Sequence, residues 1–554
     1  MEDYKEDKPT YKERKESKKN DEALLKWVIE KRDIAIKFRK DIGWNEMVKR
    51  AWNYYMHGQA EDFNDAELGN REERKANYVF SNIESIIPKI FDKMPGFQVV
   101  GRGEEDAGKA PKVETILRYK LEKIDLEGLL EDMTRDQLVP SMGVMKIGWS
   151  LEEAGAGIVE DDLSLEVIDP LLFWITAGDK RLQSATGCFE KMFLDPKEVK
   201  KRWKKDLKAD AYIGKDDDKK REGKVCVWQF SGIYNDKKQF IYFTDKEVLG
   251  VVDFYEHGRI PYAILPNYRK SQEFYPISEV YNIEPLQEEL VEIDIQMSEF
   301  RKRGVNPKKF VKKGAVDKVN MERLKDPRVN VVEMSDTNHI QWEKPGNIGS
   351  DIYNMRQMKK EDIGLMTGQN ELSRGGTEQT VKTATGQQIM FDAAQGRIRQ
   401  KVRALKNVMR EILMQTQGLL AQFQDREEMI KITDASGDVY EGYTKEDVQG
   451  SFDFEIDIVE SMPLLRERRS QLALEAYKMF KDDPVVDQLA LKKKVLKLAF
   501  QDIGASELIK DETEEEIIEE EMQPIPQEQL PELQGLPNVS AGGNPMELLG
   551  QQQI

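Results

Sequence analysis

The sequence predicts an α+β fold, with antiparallel strands in the middle third of the chain and long helices in its second half. Apolar residues recur at helical spacing over two long stretches, 278–303 and 383–424. No proline occurs between Pro345 and Pro463, so nothing in that span forces a helix to break. Residues 225–255 contain three runs that alternate apolar with polar side chains, which is the pattern of antiparallel strands.

The first half of the chain is expected to form a body of helices followed by strands, over residues 21–277. Residues 1–20 carry almost no large apolar side chain, which predicts disorder. The apolar pattern that follows predicts one or two amphipathic helices that end at Gly58. A further helical stretch, 111–139, precedes a run of strands that begins at Gly143.

The first long helix, 278–303, carries a narrow apolar seam. Ser278 is suited to cap its N-terminus, and Glu279 places an acid in the first turn, where the helix dipole favours it. The seam residues are three, four, three, four and three positions apart, with acidic residues between them. One partner helix in the same chain covers little of such a seam, so we expect this helix to pack side by side against other copies. The seam consists of Ile283, Leu286, Leu290, Ile293, Met297 and Phe300.

A strongly basic segment follows this helix. No acidic residue occurs from 300 to 316, and Gly304 with Asn306-Pro307 stops the helix. The segment is either a solvated turn or a contact for DNA phosphates or an acidic partner. Short strands are expected over 304–346. The basic residues are Arg301, Lys302, Arg303, Lys308, Lys309, Lys312 and Lys313.

A second helix is expected over 347–366, and a polar loop rich in glycine and threonine over 367–382. This loop is longer than connections in helical bundles usually are, which favours a functional role. Its only cations are Arg374 and Lys382. The candidate site residues of the loop are Arg374, Gly375, Gly376, Lys382 and Thr383.

The C-terminal part continues with a helix, strands, more helices and a tail. The long helix is expected over 383–424, strands over 425–460 and helices over 461–510. Residues 511–554 begin with a dense acidic run and continue with proline, glutamine and glycine, so we expect disorder there.

Composition limits the function classes. A chain of 554 residues should form several domains. The net charge of −18 argues against a protein that binds nucleic acid over its whole surface, although not against one along which DNA slides. The two cysteines, Cys188 and Cys226, form no disulfide framework, which favours a reducing cytoplasm. We expect a soluble protein without a signal peptide or membrane span, because no apolar run approaches 18 residues.

No motif predicts a catalytic site or a cofactor. The stretch 376–383 resembles a phosphate-binding loop, but Val381 occupies the position of its second glycine. The stretch 434–446 begins like a calcium loop, but Val439 and Lys445 replace the required glycine and glutamate, so a β-turn is expected instead. The abundant carboxylates leave a nuclease-type metal cluster open, although no pair stands out. The three histidines, His57, His257 and His339, are isolated in sequence.

The order of these elements resembles the portal, or head-tail connector, protein of tailed bacteriophages, nearest the short-tailed type. The resemblance rests on the helix Tyr281–Arg303, the segment Asn306-Pro307-Lys308-Lys309, the returning helix, the glycine-rich loop and Thr383-Ala384-Thr385 before the long helix. It extends over about residues 20–500. Two stretches near the start of the chain, WNYYMHG and the later NYVFSNIESIIPKIF, also resemble the N-terminal region of portal proteins.

The resemblance implies a portal-type fold assembled as a ring, usually of twelve copies, around a channel for double-stranded DNA. Residues 278–303 and 347–366 would form the stem, 304–346 a small α/β clip and 367–382 the tunnel loop. The β-rich body would be the wing, and the long helix would lead towards the crown.

As a portal, the protein would be a non-enzymatic virion component at one capsid vertex, assembled in the host cytoplasm. DNA would be packaged and ejected through it. Its partners would be the terminase packaging motor, head-completion and tail adaptor proteins, and the coat and scaffolding proteins.

Two other functions remain open. A packaging ATPase or nuclease would need a complete phosphate-binding loop or a metal-binding acidic site. A helical scaffold or adaptor without a pore would form no ring with a central hole.

Overall fold

The computed structural model describes most of the chain as far as residue 457 and a few residues beyond. The chain divides into two compact units, Met1–Arg466 and Glu467–Ile554. The described residues are 11–58, 76–90, 95–154, 158–207, 223–305, 309–311, 317–325, 340–342, 349–368, 396–425, 428–434, 437–457, 473–481, 488, 491–492 and 495.

Three helices open the first unit: α1 (Tyr11–Asp41), α2 (Trp44–His57) and α3 (Tyr78–Ile90). Helix α2 ends as expected, because Gly58 adopts the left-handed conformation with φ 72°. The structure differs from the disorder predicted for residues 1–20, since α1 begins at Tyr11. Lysine, glutamate and arginine dominate its first turns and favour a helix, which extends from later turns that are anchored in the protein core.

Helices α4 (Glu104–Lys123) and α5 (Leu126–Leu138) occupy the region predicted to be helical around 111–139. The Asp125 carboxylate caps α5 by accepting a hydrogen bond from the Gly128 amide. Strand β1 (Gly96–Gly101) precedes α4. It pairs antiparallel with the last strand of the unit, and periodicity alone did not predict this pairing.

Two antiparallel sheets form the β-rich part of the body. In the three-stranded sheet, β2 (Met142–Ala154) lies between β3 (Ile158–Ile168) and β9 (Tyr262–Pro266). The other sheet has five strands in sequence order, and its last three are the alternating runs predicted over residues 225–255. These strands are β4 (Phe173–Ile175), β5 (Gly187–Leu194), β6 (Val225–Tyr234), β7 (Lys237–Phe243) and β8 (Val248–Asp253). Helix α6 (Pro196–Trp203) follows β5 and begins with proline.

Two helices enclose a small α/β segment. Helix α7 (Glu279–Val305) leads into strand β10 (Lys309–Val311), and helix α9 (Ser350–Thr367) follows strand β11 (Ile340–Trp342). The two strands pair antiparallel, with Phe310 opposite Gln341. Helix α8 (Lys318–Lys325) lies between them in sequence and was not predicted. Residues 326–339, part of the segment in which short strands were expected, lie outside the described residues.

The last part of the first unit consists of the long helix α10 (Gly396–Phe423) and a set of strands. The sequence extends the long helix back to residue 383, but 383–395 lie outside the described residues. Asp434 pairs with Gly437, so β12 and β13 are antiparallel partners, and the β-turn expected between them falls on residues 435–436, which lie outside the described residues. The remaining elements are β12 (Glu428–Asp434), β13 (Gly437–Tyr443), α11 (Lys445–Val448) and β14 (Phe452–Asp457), which is the partner of β1.

The largest apolar core lies around α10. Leu405, Met409 and Ile412 of this helix are fully buried together with residues of α3, α4, α5, β2 and β14. A separate core lies between α1 and the five-stranded sheet, where Trp27 packs edge-on against Phe230. The α+β class is therefore confirmed. In the second unit, residues 473–480 are helical. None of the described helices is long and apolar enough to span a membrane.

Candidate channel and assembly surfaces

The start of α7 is anchored by its capping residue. The Ser278 hydroxyl accepts a hydrogen bond from the Val280 amide at 3.0 Å, which confirms the predicted N-cap. The same hydroxyl donates to the Val139 carbonyl at 2.6 Å, just beyond the C-terminus of α5. One side chain thus satisfies an amide of α7 and fixes the helix to the body.

A buried ion pair joins the beginning of α7 to α10. The Lys401 ammonium lies 2.6 Å from the Glu279 carboxylate, and the two side chains are 3% and 1% exposed. Lys401 also donates to the Asn267 side-chain oxygen and lies 4.2 Å from the centre of the Tyr268 ring. Burial lowers the pKa of Lys401, and the Glu279 charge opposes that shift. The sequence assigned Glu279 only a helix-dipole role, because its partner lies 122 residues away.

A second junction fixes the loop before β9 to α10. The Arg259 guanidinium donates two hydrogen bonds to the Glu411 carboxylate, at 2.7 and 2.5 Å. Gly418 allows His257 to approach, since a Cβ at that position would lie 2.8 Å from the His257 Cβ. Burial, together with the nearby Arg259 charge, lowers the pKa of His257 to about 4. The histidine is therefore neutral in the folded protein at pH 7.

The apolar seam of α7, which the sequence predicts to pack against other copies, is partly covered by the same chain. Ile283 and Leu290 are fully buried in the main core, and Leu286 packs against that core. The Gln287 side chain donates to the carbonyls of Gly58 and Ala76, at 3.4 and 3.0 Å. Helices α2, α3 and α9 contact α7 and provide this cover.

Farther along α7 the seam becomes less enclosed. Ile293 is still buried, at 6% exposure, whereas Met297 and Phe300 are half-buried. Only the end of the predicted seam therefore remains accessible for contact with another copy.

Helix α9 runs antiparallel to α7 and neutralises part of its acidic surface. Arg356 contacts Asp294 at 2.5 Å, and Lys359 contacts Glu289 at 2.5 Å. Elsewhere on α7, Glu284 pairs with Arg50 of α2, and Glu288 accepts a hydrogen bond from the Tyr54 hydroxyl. Much of the acidic charge that separates the seam residues is therefore used in contacts within the chain.

An apolar strip on α9 is exposed instead. Its residues fall on one side of the helix, and Lys359, which contacts Glu289 of α7, borders that side. Exposed apolar side chains grouped in this way are typical of a protein interface, although Asp362 lies between Met358 and Leu365 on the same side. The exposed fractions are 52% for Met355, 62% for Met358, 70% for Leu365 and 43% for Met366. The irregular apolar spacing in this stretch was a sequence signal for the strip. The sequence analysis instead assigned contact between copies to the seam of α7.

The structure locates only part of the predicted basic segment. Arg301 is exposed near the end of α7, Lys302 and Arg303 belong to the same helix, and Lys309 begins β10. Three further cations, Lys308, Lys312 and Lys313, lie outside the described residues. The candidate loop residues Arg374, Gly375, Gly376, Lys382 and Thr383 also lie outside them.

A basic stripe on α10 was missed by the sequence reasoning. Its residues are four, three and four positions apart, so they lie on one side of the helix over about 17 Å. Three of them are exposed and the fourth is half-buried. The sequence did contain a signal for this stripe, because no acidic residue occurs from 396 to 410. The stripe consists of Arg399, Arg403, Lys406 and Arg410.

The described residues contain no group of three or more His, Cys, Asp and Glu side chains that could hold a metal ion. Cys188 is buried, and burial raises the pKa of its thiol well above the usual value. A buried neutral thiol is a poor nucleophile. The features that stand out in the described residues are an exposed apolar strip on α9 and a basic stripe on α10.

Comparison with known proteins gives one family match. Residues 232–459 match the family model of the phage SU10 portal protein. The match spans α7, α9 and α10, and it confirms the resemblance to phage portal proteins on which the sequence interpretation rests. The short-tailed subtype remains a prediction. A comparison with curated protein sequences gives no significant match.

Several solved structures share a distant likeness with the chain. The neck of a native gene transfer agent (GTA) particle computed with C12 symmetry has a TM-score of 0.38 and 10% identity, covering 75% of this chain and 89% of that one. The neck of an empty GTA particle computed with C6 symmetry has a TM-score of 0.41 and 11% identity, covering 78% and 94%. Scores this low do not by themselves establish a common architecture.

Proposed function

We propose that this chain, a portal protein by its family match over residues 232–459, forms a ring around a channel through which double-stranded DNA enters and leaves a capsid. The observation that carries the proposal is the position of the match. It includes the antiparallel pair α7 and α9, the small hairpin between them and the long helix α10. The portal resemblance implies a ring of about twelve copies located in the virion.

Ring assembly is assigned to the apolar strip on α9. Met358 and Leu365 are the most exposed members of this strip, so a neighbouring copy could bury both. Full burial of such a side chain is worth about 1.5–3 kcal/mol. Met297 and Phe300 at the end of α7 would extend the contact. Ring formation would therefore use the α7 and α9 pair as a preassembled unit.

The channel role follows from weak contacts with DNA. A channel that passes DNA cannot hold it tightly, because each lasting contact between a cation and a phosphate adds affinity. The loop 367–382 has only Arg374 and Lys382 as cations, and they flank Gly375 and Gly376 in sequence. In a ring these residues would form sparse circles of positive charge. Each cation could then exchange one phosphate for the next.

The basic segment after α7 is assigned to partner docking. Arg301 is exposed at the end of α7, and further cations follow in sequence. This end would contact the packaging motor and later a tail adaptor through acidic surfaces. The basic stripe of α10 offers a second positive surface, either for DNA or for the acidic surface of a partner.

Two measurements on the purified full-length chain test the main proposal. Negative-stain images should show rings with a central hole, and an ATP hydrolysis assay should show no activity. Monomeric particles or particles without a hole would contradict the portal assignment. ATP hydrolysis without rings would favour a packaging ATPase.

The loop is tested by the amount of DNA in assembled particles. We expect Arg374→Ala/Lys382→Ala to leave shells intact and to change the packaged DNA length. Arg374→Glu/Lys382→Glu should have a larger effect, since repulsion adds to the lost contact. Wild-type amounts of DNA in both variants would show that this loop does not meet DNA.

A further inference from the structure

A cavity of about 620 Å³ lies between the body and α10, away from the α7 and α9 pair. Its wall includes residues of the turn before β5, of strand β9 and the segment after it, and of α10. The volume falls within the range usual for small-molecule sites. Four cationic residues line it: Lys180, Arg181, Arg269 and Lys270.

The acidic residues of the wall do not neutralise all of this charge. Glu273 pairs with Lys270 at 2.8 Å, and Glu411 accepts both hydrogen bonds from Arg259. Within the part of the chain that the structure describes, neither Arg181 nor Arg269 has a carboxylate partner. The cavity therefore retains two positively charged guanidinium groups.

The two arginines line the same cavity, and both side chains are exposed to solvent. Partial burial lowers the pKa of Arg269, and the Arg181 charge lowers it further. Like charges held together destabilise one another unless an anion lies between them. A bound anion would remove this repulsion, and the arrangement is therefore poised for one.

We propose that this cavity binds a phosphate group through Arg181 and Arg269. A guanidinium presents a planar fork of donors that matches the oxygens of a phosphate. Neutral hydrogen-bonding groups in the same wall, Ser184, Ser271 and Asn407, can complete its contacts. The space exceeds that of a single phosphate, so the ligand is a phosphate-bearing molecule or a segment of nucleic-acid backbone. The assignment is independent of the proposed ring and channel.

Binding measurements on the full-length protein at low salt test the assignment. The probes are pyrophosphate, measured by calorimetry, and a short labelled DNA duplex, measured by fluorescence anisotropy. A polyglutamate peptide serves as an anion without phosphate. We expect Arg181→Ala and Arg269→Ala each to weaken binding of the phosphate probe about tenfold or more, because each removes a charge-assisted contact.

Two further variants test the role of the planar guanidinium and provide a control. The first distinguishes guanidinium geometry from positive charge, and the second tests whether loss of any surface arginine weakens binding. Arg269→Lys keeps the charge but loses the planar fork, so its loss of affinity should be smaller than that of Arg269→Ala. Arg202→Ala is the matched control, because Arg202 is exposed on α6 and does not line the cavity. It should bind like the wild type. Unchanged melting temperatures would show that all variants are folded.

The outcomes separate the possible ligands. Pyrophosphate binding that the two arginine variants weaken, without DNA binding, would assign a small phosphate compound. DNA binding that the same variants weaken and that pyrophosphate displaces would assign the nucleic-acid backbone. Binding of polyglutamate alone, equal binding by wild type and variants, or no binding by the wild type would each overturn the proposal.

Discussion

The buried pair Lys401 and Glu279 should determine how firmly α7 is held to α10. We consider Lys401→Met, which keeps much of the side-chain volume and removes the ammonium. Glu279 would then be buried at 1% exposure without its counter-charge. The Asn267 side-chain oxygen would lose a donor as well. The substitution therefore removes one partner of a polar network that has almost no access to water.

Removing one member of a buried ion pair typically costs about 3–5 kcal/mol, mostly because the other charge remains without a partner. Glu279→Gln should cost less, since a neutral amide is easier to bury than a charge. The double variant Lys401→Met/Glu279→Gln should recover part of the loss, because no unpaired charge remains. A favourable coupling between the two positions is the signature of the pair.

Urea unfolding of the purified chain, followed by tryptophan fluorescence, measures these differences. The matched control is Lys445→Met, since Lys445 pairs with Asp425 at 2.8 Å on an exposed surface. The control should unfold like the wild type. Equal stability of Lys401→Met and the control, or a double variant as unstable as the sum of the single variants, would refute the reasoning.

Three further predictions follow from individual residues. Burial, with Asp169 nearby, raises the pKa of Asp136 to about 8. The folded protein therefore keeps a proton that the unfolded chain has lost, and its stability falls as the pH rises from about 4 to 8. Asp136→Asn should then stabilise the protein by roughly 1–3 kcal/mol at pH 8 and leave it unchanged at pH 4, in urea titrations at both pH values. Burial keeps His257 neutral, and only the unfolded chain gains this proton between pH 6.5 and about 4. His257→Gln should reduce the loss of folding stability on acidification from pH 6.5 to about 4 by on the order of 1–2 kcal/mol. A stability profile of the variant that runs parallel to that of the wild type across this pH range would contradict the prediction. Met358→Asp places a charge on the apolar strip and should shift rings towards monomers in mass measurement, whereas Gln357→Lys, at an exposed position outside the strip on the same helix, should not. Rings formed normally by Met358→Asp would remove the strip from the interface.

Local patterns in the sequence were sufficient for many elements. The Ser278 cap, the end of α2 at Gly58 and the alternating strands of the five-stranded sheet each depend on residues that are neighbours in the chain. Such features reflect backbone conformation and side-chain periodicity, which the sequence specifies directly. The portal resemblance also depends on the order of elements, which is a property of the sequence.

The tertiary structure decided which faces meet. The seam of α7 indicated a buried surface, but only the packing of α2, α3 and α9 showed that Leu290 is covered within the chain. Leu290→Asp would therefore disrupt the fold itself rather than report on ring contacts alone. The pairing of β1 with β14 was not predicted for the same reason, because local sequence patterns do not show which distant segments come into contact.

The sequence by itself determined most of the helices and strands and the charges that they carry. Only the tertiary structure decided that Glu279 meets Lys401 and that Arg181 and Arg269 share a cavity with no carboxylate partner among the described residues. Helical and strand periodicity is set by adjacent residues. A contact between distant residues instead depends on how whole elements pack, because burial and the pairing of charges are decided only when those surfaces come together.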